Sequence, residues 1–187
     1  MNDSTQQTLR ERIEVYGYHG TSQTKAASIL QNGFLASDND YDWLGTGIYF
    51  FQDAPLRAKQ WATEQHPQEP AVIYARIQLD SCIDLFDVKW FSILKNIYNL
   101  FGEQYRDTGK PLPTQNPSRS KAHRLDCAFF NYASQFISEQ GQIVTSTRAV
   151  FVEGECIFPN SAIFDLAHVQ IAVKDPVVIR EYYLIEI

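Results

Sequence analysis

The sequence predicts an α+β fold. Segments rich in strand formers lie at both ends of the chain, while helical periodicities gather early and in the middle, without the regular alternation of a parallel α/β sheet. Its 187 residues, 44% of them hydrophobic, suit one domain over 1–187 with a core of its own.

Residues 1–12 read as a charged leader. Val15-Tyr16-Gly17-Tyr18 is a short strand entering a His19-Gly20-Thr21 turn. Ser22 to Gln31 is helical, with Thr21 or Ser22 as N-cap and Asn32-Gly33 as the stop. A polar loop, Ser37-Asp38-Asn39-Asp40-Tyr41-Asp42, leads through Trp43-Leu44 and a Gly45-Thr46-Gly47 bend into a strand Ile48-Tyr49-Phe50-Phe51. Asp53-Ala54-Pro55 offers an N-cap and a first-turn proline for a helix over 56–64 that carries Ala58, Trp61 and Ala62 on one face.

Ala71 to Leu79 is a strand, and Cys82 to Leu85 continues extended after a turn. Trp90, Leu94, Ile97 and Phe101 fall at helical spacing between Asp87 and Phe101. The segment 106–120 holds three prolines and reads as the longest loop. A second amphipathic helix runs from Lys121 to Glu139 with Leu125, Phe129, Tyr132 and Phe136 on one face, so that residues 86–140 form a helical insertion between strands. The last third is extended: Ala149–Val152, Ala162–Phe164, Val169–Val173 and Val177–Ile187.

The net charge is −6, which argues against a broad electrostatic grip on nucleic acid or an anionic membrane. No run approaches the roughly 20 apolar residues of a membrane span, and the expected location is cytoplasmic. Cys82, Cys127 and Cys156 are widely spaced with no CxxC pair, so buried thiols are expected rather than a disulfide framework or a zinc site. Aromatics are plentiful, with 12 Phe and 10 Tyr, which suits a site that stacks a planar ligand.

His19 before a glycine sets an imidazole beside bare backbone, and Gly20 can expose its N–H and C=O to a planar amide. Gly45 and Gly47 allow a close approach, and Tyr49 supplies a ring. Taken together, "YHGTS" before a helix ending "ILQNGF", then "LGTGIYFF" before a helix bearing "RAKQWA", resembles the NAD-binding half of the ADP-ribosyltransferase superfamily, in its poly(ADP-ribose) polymerase and diphtheria-toxin-like branch. The resemblance is specific over about 16–62. That family carries a His, a Tyr and usually a Glu on separate strands of a split β fold, two mostly antiparallel sheets forming an NAD cleft, and here the first two stand 30 residues apart.

The resemblance implies that His19 bonds the adenosine ribose, Gly20 holds the nicotinamide carboxamide, Thr21 orients the turn and Tyr49 stacks on nicotinamide. Trp61, one position off the family's register, would close the other face. A carboxylate near the ribose would stabilise the positive charge that develops as the glycosidic bond breaks. Glu153 is the favoured candidate and Glu155 the next, in a Glu-x-Glu that resembles the arginine-modifying branch. A different register, in which "NSAIFDLAHVQIAV" is similar to the final strands of the polymerase branch, places Asn160 there instead. His168 and Gln170 share a strand face and could line the cleft. Arg148, after Thr145-Ser146-Thr147, is a candidate phosphate contact. The Arg119–Arg124 cluster, which includes His123, could meet an acidic or nucleic-acid acceptor.

The expected activity is thus NAD-dependent mono-ADP-ribosyl transfer to a protein or nucleic-acid acceptor, with no metal, in a bacterial toxin or defence effector that a neutralising antitoxin or immunity partner would hold. NAD hydrolysis and a catalytically silent binding module are the alternatives.

Overall fold

The structure, a computed structural model, describes residues 13–115 and 122–187. The expected leader and the Arg119–Lys121 part of the basic cluster lie outside the described residues. In chain order the elements are β1 (Glu14–Ser22), α1 (Gln23–Asn32), β2 (Ile48–Gln52), α2 (Pro55–Gln65), β3 (Pro70–Gln78), β4 (Cys82–Asp84), α3 (Lys89–Thr108), α4 (Arg124–Glu139), β5 (Ser146–Phe151), β6 (His168–Val173) and β7 (Ile179–Ile185). The fold is α+β.

The strands form one sheet in the order β4-β5-β6-β2-β1-β3-β7. Only the β4–β5 pair is parallel. Two separate sheets were expected, and here the strands join. The join is narrow. β1 pairs with β3 from Glu14↔Gln78 to Ser22↔Pro70, yet it meets β2 only at Gly17↔Gln52 and Tyr18↔Phe51. The sheet is therefore two leaves, β4-β5-β6-β2 and β1-β3-β7, held by a two-residue seam.

Side chains explain where the seam stops. Continuing the register would bring Gly20 opposite Tyr49. Instead the His19 ring donates Nδ1–H to the Tyr49 carbonyl at 2.8 Å, satisfying a backbone acceptor that the ladder no longer serves. At the seam itself Gly17 is required, because a Cβ there would stand 2.6 Å from Ile77 Cδ1 and 2.9 Å from Phe50 Cβ.

Each face has its own packing. On one side Ala26 of α1 and Phe34 pack with Phe50, Ile73, Ile77 and Ile171, a core that spans both leaves. On the other, α3 and α4 cover the first leaf through Ile83, Leu94, Ile97, Phe130, Ala133 and Ile137. α2 covers the second leaf and reaches across to β2, Ala58 packing with Val72 of β3 and Phe51 of β2.

Several boundaries differ from expectation for identifiable reasons. His19-Gly20-Thr21 is strand rather than turn, since β3 pairs with all three. Ser22 caps α1 by accepting the Lys25 N–H. Asp53 does not cap α2: it has a positive φ of 52° and gives its N–H to the Tyr16 carbonyl. α3 continues to Thr108, where Gly109 adopts the left-handed region. α4 starts at Arg124 and buries Cys127, Phe130, Ala133 and Ile137, because the expected stripe serves a second neighbour: Phe129 and Tyr132 meet the Phe101 ring of α3 at 5.8 and 5.2 Å. Ala162–Phe164 is not a strand but the returning arm of the 152–167 loop, tied by a single bridge between Cys156 and Phe164. Cys156 is exposed, contrary to the expectation of buried thiols, while Cys127 is buried.

Candidate functional site

A cleft of about 600 Å³ opens where β1 and β2 part, within the size range of small-molecule sites. His19, Gly20, Thr21, Tyr49, Trp61 and Gln170 all line it.

His19 is held between the Phe34 and Phe50 rings, at 5.4 and 5.7 Å. Burial pushes its pKa down, against the opposing pull of the Tyr49 carbonyl. The ring is neutral, and with its proton on Nδ1 it keeps Nε2 as an acceptor.

Tyr49 is fixed at both ends. One face packs against the α3–α4 core, and its hydroxyl donates to the Gly45 carbonyl (2.7 Å) while accepting the Leu44 N–H (3.0 Å). Burial drives its pKa far up, so the phenol stays protonated. The loop beneath it is clamped in turn. Asn131 of α4 accepts the Thr46 N–H at 2.8 Å, and Lys174 donates to the Leu44 and Thr46 carbonyls at 3.2 Å each. Burial lowers Lys174 to about 8.

Gly20 serves packing as well as access. A Cβ there would lie 2.4 Å from the Ala58 carbonyl and 3.2 Å from Trp61 Cε3, so the glycine lets α2 close on β1. The close approach expected of a ligand is taken on that side by the helix. Trp61, 37% exposed, forms the outer wall.

Gln170 reaches the cleft from β6, where it pairs with Phe51 of β2. Trp43 donates Nε1–H to its Oε1 at 2.5 Å, which leaves the amide nitrogen as the free donor end. Trp43 stacks obliquely on Phe151, 4.8 Å between centroids.

The carboxylates expected near the ribose are elsewhere. Glu153 does not line the cleft; it lies past the end of β5 and pairs with Arg57 of α2 at 2.8 Å. Glu155 is exposed, its N–H given to Asp165 Oδ1 at 2.9 Å. Asn160 is exposed with a positive φ of 65° in the same loop. Arg148, expected as a phosphate contact, does not line the cleft either. It stands opposite Asp84 in the β4–β5 register, pairs with that carboxylate through two nitrogens, and donates to Gln52 Oε1 at 3.2 Å. His168 sits behind the lining, between Phe51 and Phe151, and donates Nδ1–H to the Leu166 carbonyl.

No family model matches the chain, and no curated protein matches it.

Sequence reasoning read His123 as part of an acceptor-facing cluster and did not mark Asp42 or Trp43, yet all three line the cleft. His123 reaches the rim and bonds Asp126 at 3.3 Å, while Arg124 is occupied by Asp40. Asp42 and Trp43 come from the polar loop before Gly45, where alternating acids carry no period that would mark one of them as inward. Among the described residues no three His, Cys, Asp or Glu side chains gather as they would around a metal ion, and no helix is long and apolar enough to cross a membrane.

Proposed function

We propose that the cleft binds NAD and that the protein transfers the ADP-ribosyl group once to a macromolecular acceptor, releasing nicotinamide. The observation that carries this is the meeting of His19 and Tyr49 across the parted strands: a neutral imidazole with an acceptor nitrogen beside a phenol ring whose orientation is locked. A ribose hydroxyl donates naturally to the first, and a flat cationic pyridinium stacks on the second. Trp61 supplies a second aromatic wall, and the Gln170 amide adds a donor. Fixing the donor molecule in this way lowers the entropic part of the barrier. The ribose–nicotinamide bond then breaks with its electron pair going to the pyridine nitrogen, and an acceptor attacks the anomeric carbon.

The test is direct. Purified protein is titrated with NAD by calorimetry, and free nicotinamide is followed by chromatography with and without cell-extract acceptors. Micromolar-range binding, nicotinamide release and label carried from NAD onto extract macromolecules are expected. Absence of NAD binding would refute the proposal, and label appearing solely as free ADP-ribose would make the reaction hydrolysis. One observation favours a second reading: since Glu153 and Glu155 lie outside the cleft, a binding module without turnover would give the calorimetric signal alone.

A further inference from the structure

Neither glutamate lines the cleft, so the carboxylate that the proposed ribosyl cation calls for has to be sought in another part of the chain. Asp42 is the one carboxylate among the described residues that line it. It comes from the N-terminal polar loop, on the same side as Tyr49, whose phenol feels its charge.

The loop holds this side chain in place. Ser37 donates its N–H to the Gly47 carbonyl and Gly45 donates to the Asp42 carbonyl, each at 2.8 Å. The Cys127 thiol of α4 donates to the Asn39 carbonyl at 3.3 Å. The carboxylate accepts from the Ser37 hydroxyl and, at 3.5 Å, from Asn39, both on Oδ2. No hydrogen bond from a described group falls on Oδ1, and among the described residues no Lys, Arg or His pairs with Asp42. Burial raises its pKa despite the two hydrogen bonds that oppose the shift. A half-buried carboxylate with one oxygen anchored and the other unpaired is well suited to meet a cation or take a proton.

We infer that Asp42 is the catalytic carboxylate of this cleft, facing the ribosyl cation and accepting the proton of the attacking nucleophile on Oδ1. The inference rests on the NAD reading above. As the C1′–N1 bond breaks, its electron pair leaves with nicotinamide, and the positive charge moves from the pyridinium to the ribosyl carbon and ring oxygen. The acceptor then forms a bond to C1′, its proton passes to Asp42, and solvent later removes that proton. This places the acid on the loop before the tyrosine strand rather than on the final strands. It also gives Gln170 a purely orienting part.

Asp42→Asn, which keeps an oxygen for Ser37, is expected to slow nicotinamide release about 100-fold or more while changing the NAD dissociation constant less than about threefold. The wild-type rate should rise with pH through the Asp42 titration, and that limb should vanish in the variant. The other titratable groups around the carboxylate are Tyr49, Cys127 and Asp40, Lys174 below the loop, and His19, Lys25, Tyr41, His66 and His123 in the lining. Asp42→Gly with added formate should recover turnover, which a structural role would not allow. Glu153→Gln should turn over NAD like the wild type. Asp42→Asn turnover within threefold of wild type, or an inactive but folded Glu153→Gln, would overturn the inference. Wild-type protein that binds NAD but never releases nicotinamide would overturn it while leaving the binding site standing. Wild-type protein that does not bind NAD would remove both.

Discussion

The two edges of β1 have opposite fates. Toward β3 the strand is zipped from end to end; toward β2 it holds for two pairs and lets go. The zipped edge uses its backbone groups to build the sheet. The parted edge leaves room beside the backbone, fills part of that need with the His19 ring, and turns the remaining gap into a cleft. Changes on the scaffold should therefore cost stability and leave binding alone, whereas changes along the parted edge should do the reverse.

The largest expected effect is on the scaffold. Arg148→Ala strands Asp84 in a nearly buried pair, with side chains 9% and 17% exposed, and should cost about 3–5 kcal/mol in urea unfolding. NAD affinity should not change; a loss of affinity matching a loss of phosphate contact would return Arg148 to the cleft. Next comes the seam. Gly17→Ala drives a methyl into Ile77 and Phe50 and should cost about 1–3 kcal/mol, with NAD binding weakened only as far as the parting of β1 and β2 shifts.

On the parted edge, His19→Gln loses the imidazole Nε2 but can keep an N–H for the Tyr49 carbonyl, and should cost less than about 0.5 kcal/mol of stability. Calorimetry should show the larger consequence, a loss of NAD affinity of about tenfold, equivalent to about 1.4 kcal/mol. Equal losses of stability and affinity would blur the division.

The smallest effect concerns the clamp under Tyr49. Lys174 holds its proton less firmly in the folded protein, its pKa lowered to about 8 from 10.5, so above about pH 8 the unfolded chain binds more protons than the folded one. Stability from this group therefore rises with pH from about 8 toward 10.5. Cys82 opposes it from pH 9 upward, because burial raises its thiol to about 12. The difference between wild type and Lys174→Met, measured between pH 8 and 9, should carry the Lys174 slope; a flat difference would mean that the lysine titrates normally.

Legibility in the sequence followed the range of the interactions involved. That His19 and Tyr49 share one cleft was legible through the resemblance of the stretches around them, and α1 through its cap Ser22 and its stop at Gly33, whereas His19-Gly20-Thr21 read as a turn because its pairing with β3 is not local. Placing Glu153 required knowing that Arg57, 96 residues away, would take it. Arg148 likewise finds Asp84 across a parallel pair 64 residues distant. Gln170 was readable as a face of β6, but not the fact that Trp43 would hold its oxygen. Asp42 stayed hidden because Asp38, Asp40 and Asp42 are alike in sequence, and only the folded loop turns one of them inward.

Two of the chain's three tryptophans, Trp43 and Trp61, stand in the cleft lining, while Trp90 packs against the α3–α4 core. An excited indole loses its emission to an electron-poor pyridinium stacked close by. The proposed NAD occupancy would thus have an optical gauge of its own: emission from Trp43 and Trp61 should fall as NAD is added, while Trp90, outside the lining, holds the baseline.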